Sequence, residues 1–269
     1  MQYLLLVPSF YEQTGNLFGG NFPKDREHNN PGRGFHPVHI YYGPVDAIKN
    51  LKTSKFDAGS QVDQDKIILA LLQSTPSPYF IDLAANDALE LSNTLQLEAN
   101  GWRGLCIEPN PIYWFRLAHR KCDIVGAFVG EYDLQLVDVS LDNKELGGII
   151  GNDMDNKPRK SKPSPEKRYT VSLLTVFKAF NVPKTIDYMS LDIEGAEKLV
   201  MDYFPFDEYI IKFLTIERPK PELQALLKSH GYKFVQLLIY WGETLWVHES
   251  VQMSMEDIQA IVAKTRKGR

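Results

Sequence analysis

The sequence predicts an α/β fold built on a mostly parallel sheet that ends in an antiparallel hairpin. Three observations support this prediction. Short apolar segments alternate with segments of helical periodicity from residue 79 onward, which is typical of consecutive β-α units. Two of the apolar segments carry an acidic residue near their ends, Asp82 and Glu108. Late in the chain, Trp241 and Gly242 separate two β-rich segments, which favours a hairpin.

The first half of the fold is predicted from alternating periodicities. A helix is expected at residues 64–73, where QDKIILALLQ places apolar residues at helical spacing before STPSP interrupts the chain. Apolar runs predict strands at 79–84 and 104–108, and the segment between them predicts a helix at 87–98. Together they form one β-α-β unit whose two strands are parallel neighbours.

The middle of the chain is less regular. Pro111 is suited to the first turn of a helix predicted at 111–121, and an apolar run predicts a strand at 123–129. Residues 138–168 have no firm periodicity and end in a Lys- and Pro-rich run, so we expect an inserted loop there. A helix at 171–180 resumes the pattern.

The last elements complete a predicted seven-stranded sheet. Strands are expected at 187–192 and 210–217, the hairpin strands at 232–240 and 243–248, and helices at 195–203 and 221–230. Gly231 suits the end of the last helix. Five parallel strands plus the hairpin give seven.

Composition restricts the function classes. The 269 residues suffice for one large domain, which we expect at 61–269, preceded at 1–60 by an arm or lid rich in Gly, Asn and Pro. A net charge of −4 argues against nucleic-acid partners. No apolar run approaches the roughly 20 residues of a membrane span, so no integral membrane segment is expected.

Two cysteines, Cys106 and Cys122, make no disulfide framework, although a single bridge stays open. A cytoplasmic location is expected, with the secretory lumen as an alternative. The oligomeric state is not readable.

The first strand and its turn predict a nucleoside site. Glu108 stands 26 positions after Asp82, which leaves room for one turn, one helix and one strand, and its carboxylate can accept both hydroxyls of a ribose. The turn contains Ala84 and Asn86, where pyrophosphate-binding folds carry glycines, so a dinucleotide is disfavoured. Asp82 is expected to hold an ammonium group, or to serve only as a helix cap.

Further residues are assigned to the same cofactor site. Pro109 stiffens the exit of the second strand, and Asn110 is expected at the adenine edge. Gln64, in the segment GSQVDQDK, either lines the cofactor site or caps the first predicted helix.

A second acidic group follows the later strands. Asp192 and Glu194 lie at the end of one predicted strand and Glu217 at the end of the next, so all three are expected in the same crevice. Such carboxylates can orient a hydroxyl, remove its proton, or hold a divalent ion. The alternative is salt bridging to Arg218 and neighbouring lysines.

These segments together resemble the FkbM family of S-adenosylmethionine (SAM) dependent methyltransferases. The resemblance rests on FIDLAANDALELSNT, LCIEPNP, VSLLTVF, SLDIEGAEKLV and LTIER, in that order over about residues 60–250. LAAND with IEPNPIYW is similar to a eukaryotic or algal-type branch, since the bacterial pattern has glycines where Ala84 and Ala88 stand.

The resemblance implies a Rossmann-like class I methyltransferase fold, SAM as cofactor, and O-methylation of a small-molecule or glycan acceptor, most often a carbohydrate. Asp192, Glu194 and Glu217 are then the expected catalytic residues. Asp192 or Glu217 removes the hydroxyl proton directly, or the two hold a Mg²⁺ or Mn²⁺ ion that lowers the pKa of the hydroxyl. Two alternatives are kept: an interaction protein that has lost turnover, and an NAD-dependent oxidoreductase.

Overall fold

The computed structural model describes residues 39–41, 51–53, 57–140, 148–150 and 166–266. Most of the predicted arm or lid at 1–60 lies outside these residues, and so does most of the Lys- and Pro-rich run. Among the described residues, no helix combines the length and the apolar character that a membrane span requires.

Twelve strands are found in the described part of the chain. They are β1 (His39–Tyr41), β2 (Tyr79–Leu83), β3 (Arg103–Ile107), β4 (Asp123–Gly126), β5 (Phe128–Val129), β6 (Leu136–Ser140), β7 (Gly148–Ile149), β8 (Glu166–Val171), β9 (Thr185–Leu191), β10 (Ile210–Glu217), β11 (Tyr232–Leu237) and β12 (Glu243–His248). Seven helices accompany them: α1 (Gln64–Leu71), α2 (Leu95–Ala99), α3 (Pro111–Leu117), α4 (Leu173–Ala179), α5 (Glu197–Met201), α6 (Pro221–Ser229) and α7 (Met255–Arg266).

The main sheet is mostly parallel, as predicted. Its order is β1-β4-β3-β2-β9-β10-β12-β11, and strands β4 to β10 in that order are parallel. Strand β12 pairs antiparallel with both β10 and β11. There are eight strands rather than seven, because β1 pairs antiparallel with β4. The two faces of the sheet bury separate apolar clusters, so central strands such as β2 are buried throughout.

Parallel register brings the strand ends together at one edge. Leu83 of β2 pairs with Ile107 of β3 on one side and with Leu191 of β9 on the other. Ile216 of β10 in turn pairs with Leu191. The residues that follow these four positions therefore share one edge of the sheet, where ligands of open α/β sheets bind.

Residues 138–168 were predicted to be an inserted loop, but part of this segment forms strands. A second sheet with the order β5-β8-β6-β7 uses part of this segment, while 141–147 and 151–165 lie outside the described residues. The predicted strand at 123–129 is divided between the two sheets, because Phe128 and Val129 pair with Thr170 and Val171 of β8. The pairing partners are distant in sequence, so local periodicity did not reveal them.

The helix predicted at 87–98 is also wrong over residues 87–94, two thirds of its length. The Asp87 carboxylate accepts hydrogen bonds from the N–H groups of Leu89 and Glu90, at 2.9 and 3.1 Å, and Leu91 has a φ of 56°. Such a side-chain turn competes with helical hydrogen bonding, and helix α2 begins only at Leu95.

The last helix was not predicted from the sequence, and the single bridge that the sequence left open between the two cysteines is not formed. Helix α7 packs against α1 and buries Ile258 and Val262. Cys106 and Cys122 are free, buried thiols whose sulfur atoms lie 2.9 Å apart.

Candidate functional site

A cavity of about 420 Å³ opens at the edge of the main sheet where β2, β3, β9 and β10 end. Strand β12 begins at the same edge, because it runs antiparallel to β10. The volume lies within the range of small-molecule sites. Six acidic residues line the cavity: Asp82, Glu108, Asp192, Glu194, Glu217 and Glu243. Arg218 is the single Lys or Arg among the described lining residues, so the wall is predominantly anionic.

Asp82 lies within β2, one residue before the strand ends. Its side chain is almost fully buried, at 2% exposure, and accepts a 2.5 Å hydrogen bond from the hydroxyl of Thr94. The buried Arg120 donates to the same hydroxyl at 3.2 Å and so fixes Thr94 in place. Burial raises the pKa of Asp82, while the Thr94 hydrogen bond and the Arg120 charge oppose that rise.

The turn after β2 is held in an unusual conformation. Ala84 and Asn86 both lie in the left-handed region, with φ of 64° and 55°, where a side chain is normally disfavoured. The N–H groups of Ala84 and Ala85 donate to the carbonyl of Ile107 at 2.8 and 3.2 Å. The turn is therefore tied to the end of β3 and follows the path that glycines would permit.

Glu108 is held firmly at the end of β3. It is 4% exposed, and its two carboxylate oxygens accept from the N–H groups of Asn86, at 2.7 Å, and Asn110, at 2.6 Å. Burial raises the pKa of Glu108 to about 7, against the effect of these two hydrogen bonds. Each oxygen keeps further acceptor capacity, so the carboxylate can still bind two hydroxyls.

The other predicted cofactor residues divide into two groups. Ala84, Asn86, Pro109 and Gln64 line the cavity with Asp82 and Glu108. Asn110 is buried and is not among the lining residues; it caps helix α3 by accepting from the N–H of Ile112 at 3.2 Å. Its place in the site is thus to orient Glu108 through its own N–H.

Asp192, Glu194 and Glu217 lie together, as the sequence suggested. Each offers an oxygen within 4.8 Å of the others. Arg218 contacts two of them, with 2.6 Å to Glu217 and 3.6 Å to Glu194. The Asp192 Oδ1 atom is buried and has no hydrogen-bond partner among the described residues. Burial raises the pKa of Asp192 well above its usual range, and the charges of Glu217 and Glu243 add to the rise.

Glu243 is the acidic residue that sequence reasoning missed. It is 4% exposed and stands opposite Glu217 in the register of β10 and β12. Burial raises its pKa to about 7, opposed by a hydrogen bond from Gln64 and reinforced by the charge of Glu217. The direction of the predicted hairpin could have revealed Glu243, because a strand that runs antiparallel to β10 starts where β10 ends. Asn93, which also lines the cavity, was missed as well.

The residues that line the cavity fit SAM better than a dinucleotide. Glu108 suits a ribose, the many carboxylates suit the two positive charges of SAM, and Ala84 places a side chain where pyrophosphate folds need none. The one lining arginine is already engaged with Glu217 and Glu194. Mg²⁺ also accepts carboxylate ligands, so the three clustered acids have suitable chemistry for an ion, although Arg218 already supplies positive charge to Glu194 and Glu217.

Comparison with protein families matches residues 82–234 to the Methyltransferase FkbM domain, a span of more than half the chain. Comparison with curated proteins finds no match. The matched span begins at Asp82 and includes five of the six acidic residues of the cavity. The chain therefore belongs to the FkbM methyltransferase family, with the α/β Rossmann-like fold that its sequence predicted.

Proposed function

We propose that the protein is a SAM-dependent O-methyltransferase whose acceptor is a hydroxyl of a carbohydrate or glycan. The observation that carries the proposal is that one cavity holds two acidic residues in different surroundings. Glu108 is a fixed acceptor at the end of β3, and Asp192 has a buried oxygen without a partner. The first suits a ribose and the second suits a hydroxyl that must lose its proton.

The cofactor end is assigned to β2 and β3. Glu108 binds the two ribose hydroxyls, Pro109 and Tyr113 line the neighbouring wall for the adenine, and Asp82 lies toward the methionyl end. The N–H of Ala84 donates to the carbonyl of Ile107, and the Glu108 carboxylate accepts from the N–H of Asn86. Because these hydrogen bonds fix both the turn and the carboxylate, the site needs little reorganisation on binding.

The acceptor end is assigned to β9, β10 and β12. SAM, when bound, supplies a methyl group on a positively charged sulfur, so attack by an acceptor oxygen forms the C–O bond as the C–S bond breaks. Asp192 accepts the proton of the attacking hydroxyl at Oδ1, since a carboxylate with a raised pKa is a stronger base. Glu217 is the less suitable base, because Arg218 already neutralises it at 2.6 Å.

A carbohydrate is the proposed acceptor because of the wall composition. Carboxylates accept hydrogen bonds from sugar hydroxyls, and Trp241, two residues before Glu243, also lines the cavity and can stack on a sugar ring. With six acids and one arginine, the wall disfavours phosphorylated or carboxylated acceptors. Residues 1–60 as an arm or lid, the domain at 61–269 and a cytoplasmic location stay predictions.

An ion held by Asp192 and Glu217 is the alternative way to lower the pKa of the hydroxyl, and their clustering with Glu194 favours testing it. Turnover measured with and without a chelator decides between the two. Loss of turnover on chelation, restored by Mg²⁺ or Mn²⁺, supports the ion. Unchanged turnover supports Asp192 as the direct base.

Calorimetry with SAM, S-adenosylhomocysteine and NAD tests the cofactor, and turnover against a panel of neutral glycans tests the acceptor. Asp192→Asn should lower turnover about 100-fold or more while leaving SAM affinity nearly unchanged. Asp202→Asn, an exposed control outside the cavity, should change neither. Tight NAD binding with no SAM binding would instead favour the oxidoreductase. SAM binding without turnover on any glycan would favour an interaction protein.

A further inference from the structure

Asn93 presents a carbonyl oxygen that the fold leaves unsatisfied. Its side-chain N–H donates to the hydroxyl of Ser190 at 2.9 Å, which anchors the amide beside β9. Its Oδ1 atom is buried and has no hydrogen-bond partner among the described residues. Asn93 also lines the cavity. An unsatisfied buried acceptor destabilises the ligand-free protein, so a bound ligand that donates to it removes a penalty.

The amide belongs to the same corner of the cavity as Asp82. Ser190, to which Asn93 is anchored, pairs with Asp82 in the register of β2 and β9. Thr94, the next residue after Asn93, donates its hydroxyl to Asp82 at 2.5 Å. The segment carrying Asn93 is thus tied to both neighbouring strands at one level of the sheet, and this brings two acceptor side chains together.

This corner lies apart from the ribose position. Asp82 pairs with Cys106 of β3, whereas Glu108 stands two residues farther along that strand, about 6–7 Å at the usual rise per residue. A group bound between Asp82 and Asn93 is therefore deeper in the cavity than one bound by Glu108. Two acceptors, one of them a carboxylate, call for a positively charged donor with several N–H groups.

We propose that Asn93 Oδ1 and the Asp82 carboxylate together bind the α-ammonium group of the methionyl part of the cofactor. The inference rests on the proposed function, because it presupposes an adenosyl cofactor with its ribose at Glu108. Asn93 then helps to set the orientation of the bound ligand in the cavity. It also discriminates ligands that carry an amine from analogues that lack one.

The test combines two ligands with two substitutions at one site. S-adenosylhomocysteine is compared with its desamino analogue, in which hydrogen replaces the ammonium group, by calorimetry on the full chain. Asn93→Leu removes the acceptor and should weaken S-adenosylhomocysteine binding about tenfold or more while changing affinity for the desamino analogue less than about twofold. Asn93→Asp restores an acceptor with negative charge and should keep or increase the preference for the ligand that carries the amine.

Asn100→Asp makes the same change at an exposed asparagine and should leave both affinities unchanged. Equal losses for both ligands in Asn93→Leu, or no loss for either, would overturn the ammonium assignment and leave the cofactor assignment standing. A lower preference for the amine in Asn93→Asp would also overturn it, because a carboxylate at this position should attract an ammonium group. If the wild-type protein binds neither ligand, the proposed function fails, and this inference fails with it.

Discussion

Replacing Glu243 with glutamine should stabilise the ligand-free protein at alkaline pH. Glu243 is nearly fully buried, and burial raises its pKa to about 7 from an ordinary value of 4.5. The folded protein therefore holds this proton more tightly than the unfolded chain does. The resulting contribution to stability is complete below about pH 4.5 and is lost as the pH rises through about 7. Glutamine imitates the protonated form and cannot lose that contribution.

The magnitude follows from the two pKa values. A pKa raised from 4.5 to about 7 corresponds to about 3 kcal/mol, at about 1.4 kcal/mol per pKa unit. Removing the charge also relieves Asp192, whose raised pKa depends in part on Glu243. At pH 8, the Glu243→Gln variant should then have a free energy of unfolding higher by about 3 kcal/mol, or a Tm higher by about 6–12 °C. At pH 4.5, the two proteins should be similar.

Urea unfolding at a series of pH values, without ligand, measures the difference directly. Glu249→Gln makes the same change at an exposed position after β12 and should follow the wild-type curve at every pH. The reasoning is refuted if Glu243→Gln is destabilised at pH 8, or if its advantage does not shrink as the pH falls. The first result would mean that Glu243 is charged and stabilised in the folded protein, and the second would mean that the gain in stability does not come from the titration of Glu243.

Two further predictions concern the turn and the ribose site. Ala84→Gly should leave the free energy of unfolding unchanged or raise it by about 1 kcal/mol, because Ala84 has a φ of 64°, which glycine adopts without strain. Ala85 is buried and lies outside the left-handed region, so Ala85→Gly should lower the free energy of unfolding by about 1 kcal/mol or more. Urea unfolding compares them, and a larger loss in Ala84→Gly would contradict the turn conformation. Glu108→Ala should weaken S-adenosylhomocysteine binding about 100-fold or more in calorimetry, since it removes a charged acceptor for two hydroxyls. A change below about threefold would remove Glu108 from the ribose site.

The central strands were predictable because burial on both faces leaves a continuous apolar run. Strand β10 occupies the predicted residues, and β2 and β3 lie within one residue of prediction. The second sheet was not predictable in the same way, since β5 has only two residues and depends on β8 some 40 positions later. The helix predicted at 87–98 failed for a local reason, as the Asp87 side chain captured two N–H groups that a helix would use otherwise.

The positions of the site residues could be predicted from the direction of the strands more than from sequence motifs. The placement of Asp82, Glu108, Asp192 and Glu217 at one edge needs only parallel strands in the right order. Glu243 needed the direction of the hairpin as well, and Asn93 needed the irregular path of the turn before α2, which periodicity cannot supply. Asn110 was assigned to adenine from its position after Glu108, but its side chain serves as a helix cap.

A crystal structure of the protein with S-adenosylhomocysteine tests the ribose assignment most directly. We predict the adenosyl group in the cavity at the ends of β2 and β3, with both ribose hydroxyls about 2.6–3.0 Å from the Glu108 carboxylate. An adenosyl group bound elsewhere, or a Glu108 side chain turned away from the ribose, would contradict that assignment.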